Sequence, residues 1–310
     1  LQKEEEICFL TGSAESAALI REKGYPVRVL TVQQNFGPEE EMQMQKLLEQ
    51  EKPGALLVDS YEITDSYFKK LRSCTRIAYL DDFGEQKYSV DKIFNYNVFA
   101  DLTHYQKLYE GSDTELFIGK EFIPIRTQFV ETPYEVRKDL KHVLLMTGGG
   151  DFYHLEEKFL PFILQETALD FLEFHIISGY YNREFHRQCR KLPGRIHIYE
   201  NVAQMWELMQ KCDCAISAGG TTVYELCTMG VPFMGYSFAD NQKPVLSYLQ
   251  KQDIAPYCGD YREKQDNLFD SFKEQILLFR DHELRQDLHQ KEIQMIDGRG
   301  AKRIARMLLQ

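Results

Sequence analysis

The chain has 310 residues, of which 43% are hydrophobic and 27% charged, the balance of an ordinary globular protein. Its 37 basic and 48 acidic residues give a net charge of −11, which argues against a nucleic acid or an anionic membrane held by bulk electrostatics. No apolar run reaches the roughly 18 residues of a transmembrane helix. We therefore expect a cytoplasmic protein with no membrane partner, as a monomer or weak oligomer.

Short apolar runs alternate with amphipathic helical patterns along the first half of the chain. The predicted strands cover residues 7–10, 27–31, 55–59, 77–81, about 92–96 and 115–118. Helices are predicted at about 13–23, 38–51 and 64–73. The first helix begins after Ser13, a favourable N-cap, and ends before Gly24-Tyr25-Pro26, where a C-cap glycine precedes a proline.

A polar stretch from Arg126 to Lys141 marks a domain boundary, which we place between residues 1–134 and 135–310. A second series of strands is predicted at 142–146, 173–178, 195–199, 213–217 and 232–236, with two long helices from about 264 to the end. Repeated βα units predict an α/β protein of two Rossmann-like domains with parallel sheets. Ligands of such folds bind in the cleft at the carboxyl ends of the strands. The last helix is a candidate to pack back on the first domain.

The segment from Ser217 to Pro232 is the most informative part of the sequence. A strand ends at Ser217, two glycines make a tight turn, and a helix opens near Thr221, so exposed N–H groups and the helix dipole form an anion site. Glu225 follows Thr222 by one helical turn, where a carboxylate suits the two hydroxyls of a ribose. The alternative is that the glycines only make a turn and that Glu225 is solvated.

A second glycine loop, Thr147-Gly148-Gly149-Gly150-Asp151, also follows a strand and precedes a helix, which favours a phosphate site. Neither loop has the P-loop pattern, and neither fits G-x-G-x-x-G well. A kinase or a dehydrogenase is therefore disfavoured.

These segments, with Ala239-Asp240-Asn241-Gln242 and Glu200-Asn201-Val202, resemble the nucleotide-binding half of the glycosyltransferase B superfamily. More narrowly, the chain resembles the UDP-2,4-diacetamido-2,4,6-trideoxy-beta-L-altropyranose hydrolases of pseudaminic acid biosynthesis and their spore-coat polysaccharide biosynthesis relatives. Further matching segments are 57–61, 79–82, 94–97, 119–129 and 297–301.

The resemblance implies a glycosyltransferase B arrangement with an interdomain cleft, a UDP-sugar as ligand and no cofactor. It implies that Thr221 and Thr222 hold the diphosphate, that Glu225 holds the ribose, and that Asn241 and Gln242 lie near the sugar or the phosphates. The UDP-sugar-binding residues so implied are Gly148, Gly149, Gly150, Val202, Ala218, Gly219, Gly220, Thr221, Thr222, Glu225, Asn241 and Gln242.

The sequence departs from these relatives at its first residues. Their first βα turn carries a Gly-x-Gly-His-x-x-Arg loop, whose histidine is taken to activate water, and Leu1 to Glu6 aligns with the end of the helix after that loop. Either roughly one βα unit lies outside the sequence given, or the protein does without the histidine. We expect the former, because a parallel sheet without its central strand exposes unpaired edges.

Candidate catalytic carboxylates are Asp59, Asp81 and Asp82, because they end consecutive predicted strands. Capping of loops and turns is an equally good explanation of Asp59 and Asp82. We expect no metal, because the spacing of Asp81 and Asp82 does not match an Asp-x-Asp site. His154 is more simply a solvated residue at a helix start than a substitute catalytic base. The strand histidines, His142, His175 and His197, are expected to pack or bond locally.

The leading hypothesis is a UDP-sugar hydrolase that releases UDP and a free amino-deoxy sugar in surface or spore-coat polysaccharide biosynthesis. A glycosyltransferase with a UDP-sugar donor is the alternative, because function depends on the site rather than on the fold. A nucleotide-sugar-binding protein without turnover is the third possibility.

Overall fold

The computed structural model describes residues 6–30, 36–148, 153–178, 192–200, 202–263 and 265–310. The chain divides into two compact α/β units, the first formed by Leu1–Phe122 with Lys302–Gln310 and the second by Ile123–Ala301. This division along the chain falls after Phe122, whereas the sequence analysis placed a boundary after residue 134. Within the described ranges, no helix has both the length and the apolar character that a membrane span needs.

The described residues of the first unit form two separate parallel sheets. Its strands are β1 Phe9–Thr11, β2 Val27–Val29, β3 Ala55–Val58, β4 Arg76–Leu80, β5 Lys92–Asn95 and β6 Glu115–Ile118. Strands β1 and β2 form one sheet, and the order of the other is β3-β4-β5-β6. The helices are α1 Ala14–Glu22, α2 Pro38–Glu51, α3 Asp65–Leu71 and α4 Leu102–Leu108. Buried residues of α2, α3 and the four-stranded sheet share one hydrophobic core.

The second unit contains a six-stranded parallel sheet in the order β12-β11-β10-β7-β8-β9. Its strands are β7 His142–Met146, β8 Glu173–Ser178, β9 Ile196–Glu200, β10 Cys214–Ala218, β11 Phe233–Ser237 and β12 Tyr257–Asp260. The helices are α5 Thr127–Glu131, α6 Leu155–Gln165, α7 Met205–Lys211, α8 Thr222–Met229, α9 Lys243–Lys251, α10 Gln265–Leu278 and α11 His282–Met295. Short 3₁₀ turns cover Thr167–Leu169 and Asp240–Gln242 in this unit and Lys120–Phe122 in the first unit.

The last helix, α12 Gly300–Leu309, begins in the second unit, and its residues from Lys302 onward belong to the first. There Ile304 packs with Ala78 and Phe94 in a small hydrophobic cluster. The buried ammonium of Lys92 donates to the carbonyl oxygen of Met307 at 2.6 Å. Apolar packing and a charged hydrogen bond thus attach this end of the chain to the sheet of the first unit.

The buried carboxylate of Asp213 fastens the starts of β7 and β10 together. Its Oδ2 accepts hydrogen bonds from the backbone N–H groups of Lys141 at 2.8 Å and His142 at 2.7 Å. Its Oδ1 accepts from the Arg137 guanidinium at 2.8 Å, and its own N–H donates to the His142 carbonyl. These bonds compensate the desolvation of the charge, so the register of the central strand pair is fixed at its first residues.

The predicted strands are confirmed with ends that differ by one or two residues, but the helical end of the chain was predicted wrongly. Three helices occur there instead of two. Asp281 caps α11 by accepting from the N–H groups of Glu283 and Leu284, which separates that helix from α10. Gly298, at a φ of +67°, separates α11 from α12. Strand β12 was not predicted.

One acidic side chain, Glu292 of α11, lies in the interior of the second unit with no exposed surface. Helix α11 packs against α8. Burial raises the pKa of Glu292 well above its ordinary value. Because the folded state favours the protonated acid, this contribution to stability is present at acidic pH and is lost as the pH rises through the raised pKa.

We expect Glu292→Gln to stabilise the protein relative to the wild type more at pH 8 than at pH 5, by roughly 1–3 kcal/mol, because the amide stays neutral. Chemical denaturation at the two pH values measures the difference. Glu274→Gln, which changes an exposed carboxylate of α10, is the control. An equal effect of Glu292→Gln at both pH values would contradict the assignment.

Candidate functional site

The six-stranded sheet has one topological switch point, between β7 and β10. From β7 the chain adds β8 and β9 on one side, then returns to place β10, β11 and β12 on the other. Connections leave the carboxyl ends of β7 and β10 in opposite directions, which opens a crevice there. Gly148 follows β7 and Gly219 follows β10, so these two glycines lie at the crevice.

The turn after β10 leaves two backbone donors at the start of α8. The N–H of Gly219 donates to the Tyr236 carbonyl and the N–H of Gly220 to the Ala218 carbonyl. Within the described part of the chain, no acceptor is bound to the N–H of Thr221 or Thr222. Thr221 is exposed and Thr222 is half-buried. These donors lie at the positive end of the helix dipole and are therefore available to an anion.

The two glycines of this turn have different physical roles. A Cβ on Gly219 would lie 2.7 Å from Leu246 and 2.8 Å from the backbone oxygen of Gln242, so the packing of α9 requires a glycine there. A Cβ on Gly220 would meet no described protein atom within 4 Å. Packing against the described residues therefore does not explain Gly220, whereas close approach of a ligand to the backbone would.

Glu225 lies one turn into α8 and pairs with Arg126. The guanidinium Nη2 lies 3.0 Å from Glu225 Oε1, with the carboxyl side chain 19% exposed. Burial raises the pKa of Glu225, and Arg126 partly offsets this rise. The guanidinium also lies 4.7 Å from the ring centroid of Phe129 and 5.9 Å from that of Trp206. Aromatic faces and a carboxylate thus hold Arg126 in place.

Thr147, between β7 and Gly148, is 1% exposed, and its hydroxyl has no hydrogen-bond partner in the described ranges. This hydroxyl at the crevice is therefore available as a hydrogen-bond donor and acceptor. Gly148 has a φ of +86°, a conformation that favours glycine. Gly149 and Gly150 lie outside the described residues. Ala218 is the buried last residue of β10, and Val202 lies half-buried between β9 and α7.

Asn241 and Gln242 occupy the short 3₁₀ turn after β11, but their side chains differ. Asn241 is exposed. Gln242 is 9% exposed, and its Oε1 accepts from the N–H of Phe238 at 2.9 Å, which closes the turn. This bond gives Gln242 a structural role in the shape of the crevice. Its direct contact with a sugar stays a prediction.

Asp260, at the end of β12, anchors the same turn. Although burial opposes the shift, hydrogen bonds from Arg262, Lys243 and Ser237 lower the pKa of Asp260. Arg262 also bonds Asp240 at 2.7 Å. This network of charges attaches the 3₁₀ turn to the edge of the sheet.

In the first unit, the three predicted carboxylates have different surroundings. Asp81 is 2% exposed and uses both oxygens in structural bonds. Its Oδ1 accepts from the N–H groups of Phe83 and Gly84, and its Oδ2 accepts from the Tyr105 hydroxyl at 3.0 Å. Asp81 therefore holds the turn after β4, and a catalytic role for it stays a prediction.

Asp59 and Asp82 interact electrostatically at the carboxyl ends of β3 and β4. Partial desolvation, and after it the charge of Asp82, raise the pKa of Asp59. Asp82 accepts from the hydroxyl of Tyr61 at 2.6 Å and from the amide of Asn97 at 3.3 Å. Burial and the two carboxylates raise the pKa of Tyr96 to about 12. Two neighbouring carboxylates with different hydrogen bonding are a common arrangement for acid and base chemistry.

The roles of Arg126 and Trp206 were not predicted from the sequence. Arg126 belongs to a segment that already resembled the family, but its partner Glu225 lies 99 residues further along the chain. A single sequence contains no signal for such a pair. Trp206, the only tryptophan, was a possible signal, since its ring lies beside Arg126.

The chain was compared with known proteins, and no protein-family model matches it. It is 26% identical over 241 residues to the uncharacterized protein MJ1062 of Methanocaldococcus jannaschii, covering 73% of this chain and 48% of that protein. It is 30% identical over 194 residues to the Helicobacter pylori pseudaminic acid cytidylyltransferase and UDP-2,4-diacetamido-2,4,6-trideoxy-beta-L-altropyranose hydrolase, covering 60% of this chain and 34% of that protein. The chain thus spans about half of the first relative and about a third of the second.

Spore coat polysaccharide biosynthesis protein SpsG of Bacillus subtilis is 23% identical over 261 residues, which cover 82% of this chain and 75% of SpsG.

Solved structures share the fold at low sequence identity. Acinetobacter baumannii MurG superposes with a TM-score of 0.68 at 13% identity, covering 99% of this chain and 92% of that one. The Staphylococcus aureus MnaA structure, a complex with UDP, superposes with a TM-score of 0.57 at 15% identity, covering 96% and 94%. The predicted fold class is confirmed. The chain is therefore similar in sequence to a part of the Helicobacter pylori protein and to SpsG, and it has the glycosyltransferase B fold.

Proposed function

We propose that this protein is a UDP-sugar hydrolase of surface or spore-coat polysaccharide biosynthesis, which binds UDP in its second unit. The observation that carries the proposal is the start of α8 at the switch point, where the N–H groups of Thr221 and Thr222 are available and Glu225 follows one turn later. The hydrolase named in the Helicobacter pylori relative and the UDP complex of a similar fold support this choice of ligand.

The proposed site suits a diphosphate in a protein whose net charge is −11. Backbone donors and a helix dipole attract phosphate without a lysine cluster, and a helix terminus contributes about 0.3–2 kcal/mol per charge. Gly220 allows the phosphates to approach the backbone closely. Glu225 would accept hydrogen bonds from the ribose hydroxyls, and Arg126 partly offsets the rise in the pKa of this carboxyl that burial causes.

In the proposed reaction, water attacks the anomeric carbon while the bond from that carbon to the β-phosphate oxygen breaks. The water loses a proton to a base, and UDP leaves with the bonding electron pair. Donors at the start of α8 would stabilise the negative charge that develops on the leaving group. Asp59 is our candidate for the base, because its raised pKa increases its affinity for the proton.

Sugar transfer is the second candidate function, because a solved glycosyltransferase of Rickettsia africae has the same fold and a fold of this kind supports both reactions. The two functions are separated by incubating the protein with UDP-2,4-diacetamido-2,4,6-trideoxy-beta-L-altropyranose, with and without sugar acceptors. UDP release in water alone supports hydrolysis, and release only with an acceptor supports transfer. Binding without any release supports a binding protein.

We expect Glu225→Gln to weaken UDP binding by about 10- to 100-fold, the effect of losing charged hydrogen bonds. Wild-type protein should prefer UDP over 2′-deoxy-UDP, and the variant should lose that preference. The fluorescence of Trp206, the single tryptophan, measures both affinities. Glu207→Gln, an exposed change on α7, is the matched control. Unchanged discrimination between the two nucleotides would remove Glu225 from the ribose site.

Replacing each glycine of the turn before α8 by alanine distinguishes a role in ligand binding from a role in protein packing. Gly219→Ala should lower the melting temperature, because its Cβ would overlap Leu246. Gly220→Ala should leave the melting temperature unchanged and weaken UDP binding about 10-fold or more, because its Cβ would occupy the space of the phosphates. Calorimetry with UDP measures the second effect, and wild-type affinity of Gly220→Ala would place the phosphates elsewhere.

Asp59→Asn should lower kcat by about 10²- to 10⁴-fold and leave UDP affinity unchanged, because only the base is removed. Asp82→Asn should move the acidic limb of the pH-rate profile to lower pH. Removing the charge of Asp82 lowers the pKa of Asp59, so the base is ionised at more acidic pH. Asp113→Asn, an exposed change, is the control. Wild-type kcat in Asp59→Asn, or an unmoved limb in Asp82→Asn, contradicts this role.

A further inference from the structure

Histidine and carboxylate side chains gather at the amino ends of β7, β8 and β9, the end of the sheet opposite to the glycine segments. In the register of the strands, His142 pairs with Glu173, and His175 pairs with His197. Because side chains alternate between the faces of a strand, Glu173 and His175 share one face. Tyr199 lies on that face two residues after His197.

The distances within this group match those between the ligands of one metal ion. His142 Nδ1 lies 3.1 Å from His175 Nε2, and Glu173 Oε2 lies 3.8 Å from His142 Nδ1. One ligand atom from each of these three residues lies within 4.8 Å of the others. A zinc ion about 2.0–2.2 Å from each nitrogen and oxygen ligand spaces those ligands by roughly 3–4 Å. His197 Nε2 lies 3.3 Å from Glu173 Oε2 and is the candidate fourth donor.

Hydrogen bonds from neighbouring residues orient His175 and Glu173, as such bonds orient the ligands of metal sites. The Nδ1 of His175 lies 2.9 Å from the Tyr199 hydroxyl, which leaves Nε2 to face His142. Lys141 pairs with Glu173 Oε1 at 3.1 Å, and the other carboxylate oxygen faces the histidines. Partners of this kind fix the ring orientation and the carboxylate of metal ligands.

An ion in solvent can reach His142, Glu173 and His197, which are partly exposed, whereas His175 is buried. His142 and Glu173 are partly exposed, with side chains 28% and 30% accessible. His142 and His175 also line a cavity of about 480 Å³, which gives an ion a route to the site.

We propose that His142, Glu173 and His175, with His197 as a fourth ligand, bind a divalent transition-metal ion such as Zn²⁺. Imidazole nitrogen favours Zn²⁺, Ni²⁺ or Cu²⁺ over Mg²⁺ and Ca²⁺, which prefer oxygen ligands. The ion would tie the first residues of three strands together. Its site is separate from the candidate nucleotide site, since the two lie at opposite ends of the same strands.

The test is Co²⁺ and Zn²⁺ binding by the full chain, freed of any affinity tag and dialysed against a chelator. We expect one Co²⁺ per chain with visible absorption bands, displacement by Zn²⁺ but not by Mg²⁺, and a higher melting temperature with Zn²⁺. His175→Asn and Glu173→Gln should each weaken Zn²⁺ binding at least about 10-fold in calorimetry.

His104→Gln, an exposed histidine of the first unit bonded to the Gly84 carbonyl, is the matched control and should bind Zn²⁺ as the wild type does. His197→Asn, at a more exposed ligand, serves where another variant does not fold, as judged by circular dichroism. Absence of stoichiometric binding by the wild type overturns the proposal. Equal binding by the wild type and by the folded site variants overturns it as well.

Discussion

The Asp213 carboxylate is the constraint on which the second unit depends. It joins the first residues of β7 and β10 through two backbone N–H groups and the Arg137 guanidinium. In a parallel sheet, fixing the amino ends of two strands also fixes where their carboxyl ends meet. The same carboxylate therefore sets the crevice between Gly148 and Gly219 at one end of the sheet and the position of His142 at the other. A buried charge is tolerated here because each of its oxygens is hydrogen-bonded.

Most strands of the fold were predictable, because parallel strands buried on both faces appear as short continuous apolar runs. Strand β12 lacks that signal. It contains Gly259 at a φ of +121° and ends in Asp260, a buried acid that Arg262 and Lys243 pair. The break between α10 and α11 depends on Asp281 as an N-cap, a local signal that a continuous helical pattern concealed. Tertiary ion pairs and helix caps thus determine strands and helix ends that hydrophobic periodicity alone does not predict.

The candidate site was predictable where it is local in sequence and not where it is assembled from distant residues. A strand, two glycines and a helix start are contiguous, so the turn at Gly220 was visible in the sequence. The same pattern did not distinguish the two glycines. A side chain on Gly219 would clash with α9, whereas a Cβ on Gly220 would meet no described atom. The pattern did not reveal Arg126 as the partner of Glu225. It also did not reveal that Asp81 uses one oxygen in the turn after β4 and the other in a bond with Tyr105. The register of the sheet, which brings the histidines together, could not be predicted from the sequence either.

The net charge of −11 and the proposed diphosphate site are compatible because the site relies on fixed dipoles. Arg126, the guanidinium beside α8, is already paired with Glu225 and packed on two aromatic rings, so its charge compensates an acid of the protein. The attraction for phosphate must then come from the N–H groups of Thr221 and Thr222 and from the α8 dipole. Such donors act only over short distances and in one orientation. An acidic surface with a site of this kind repels polyanions over long range and still binds a small anion that reaches the crevice.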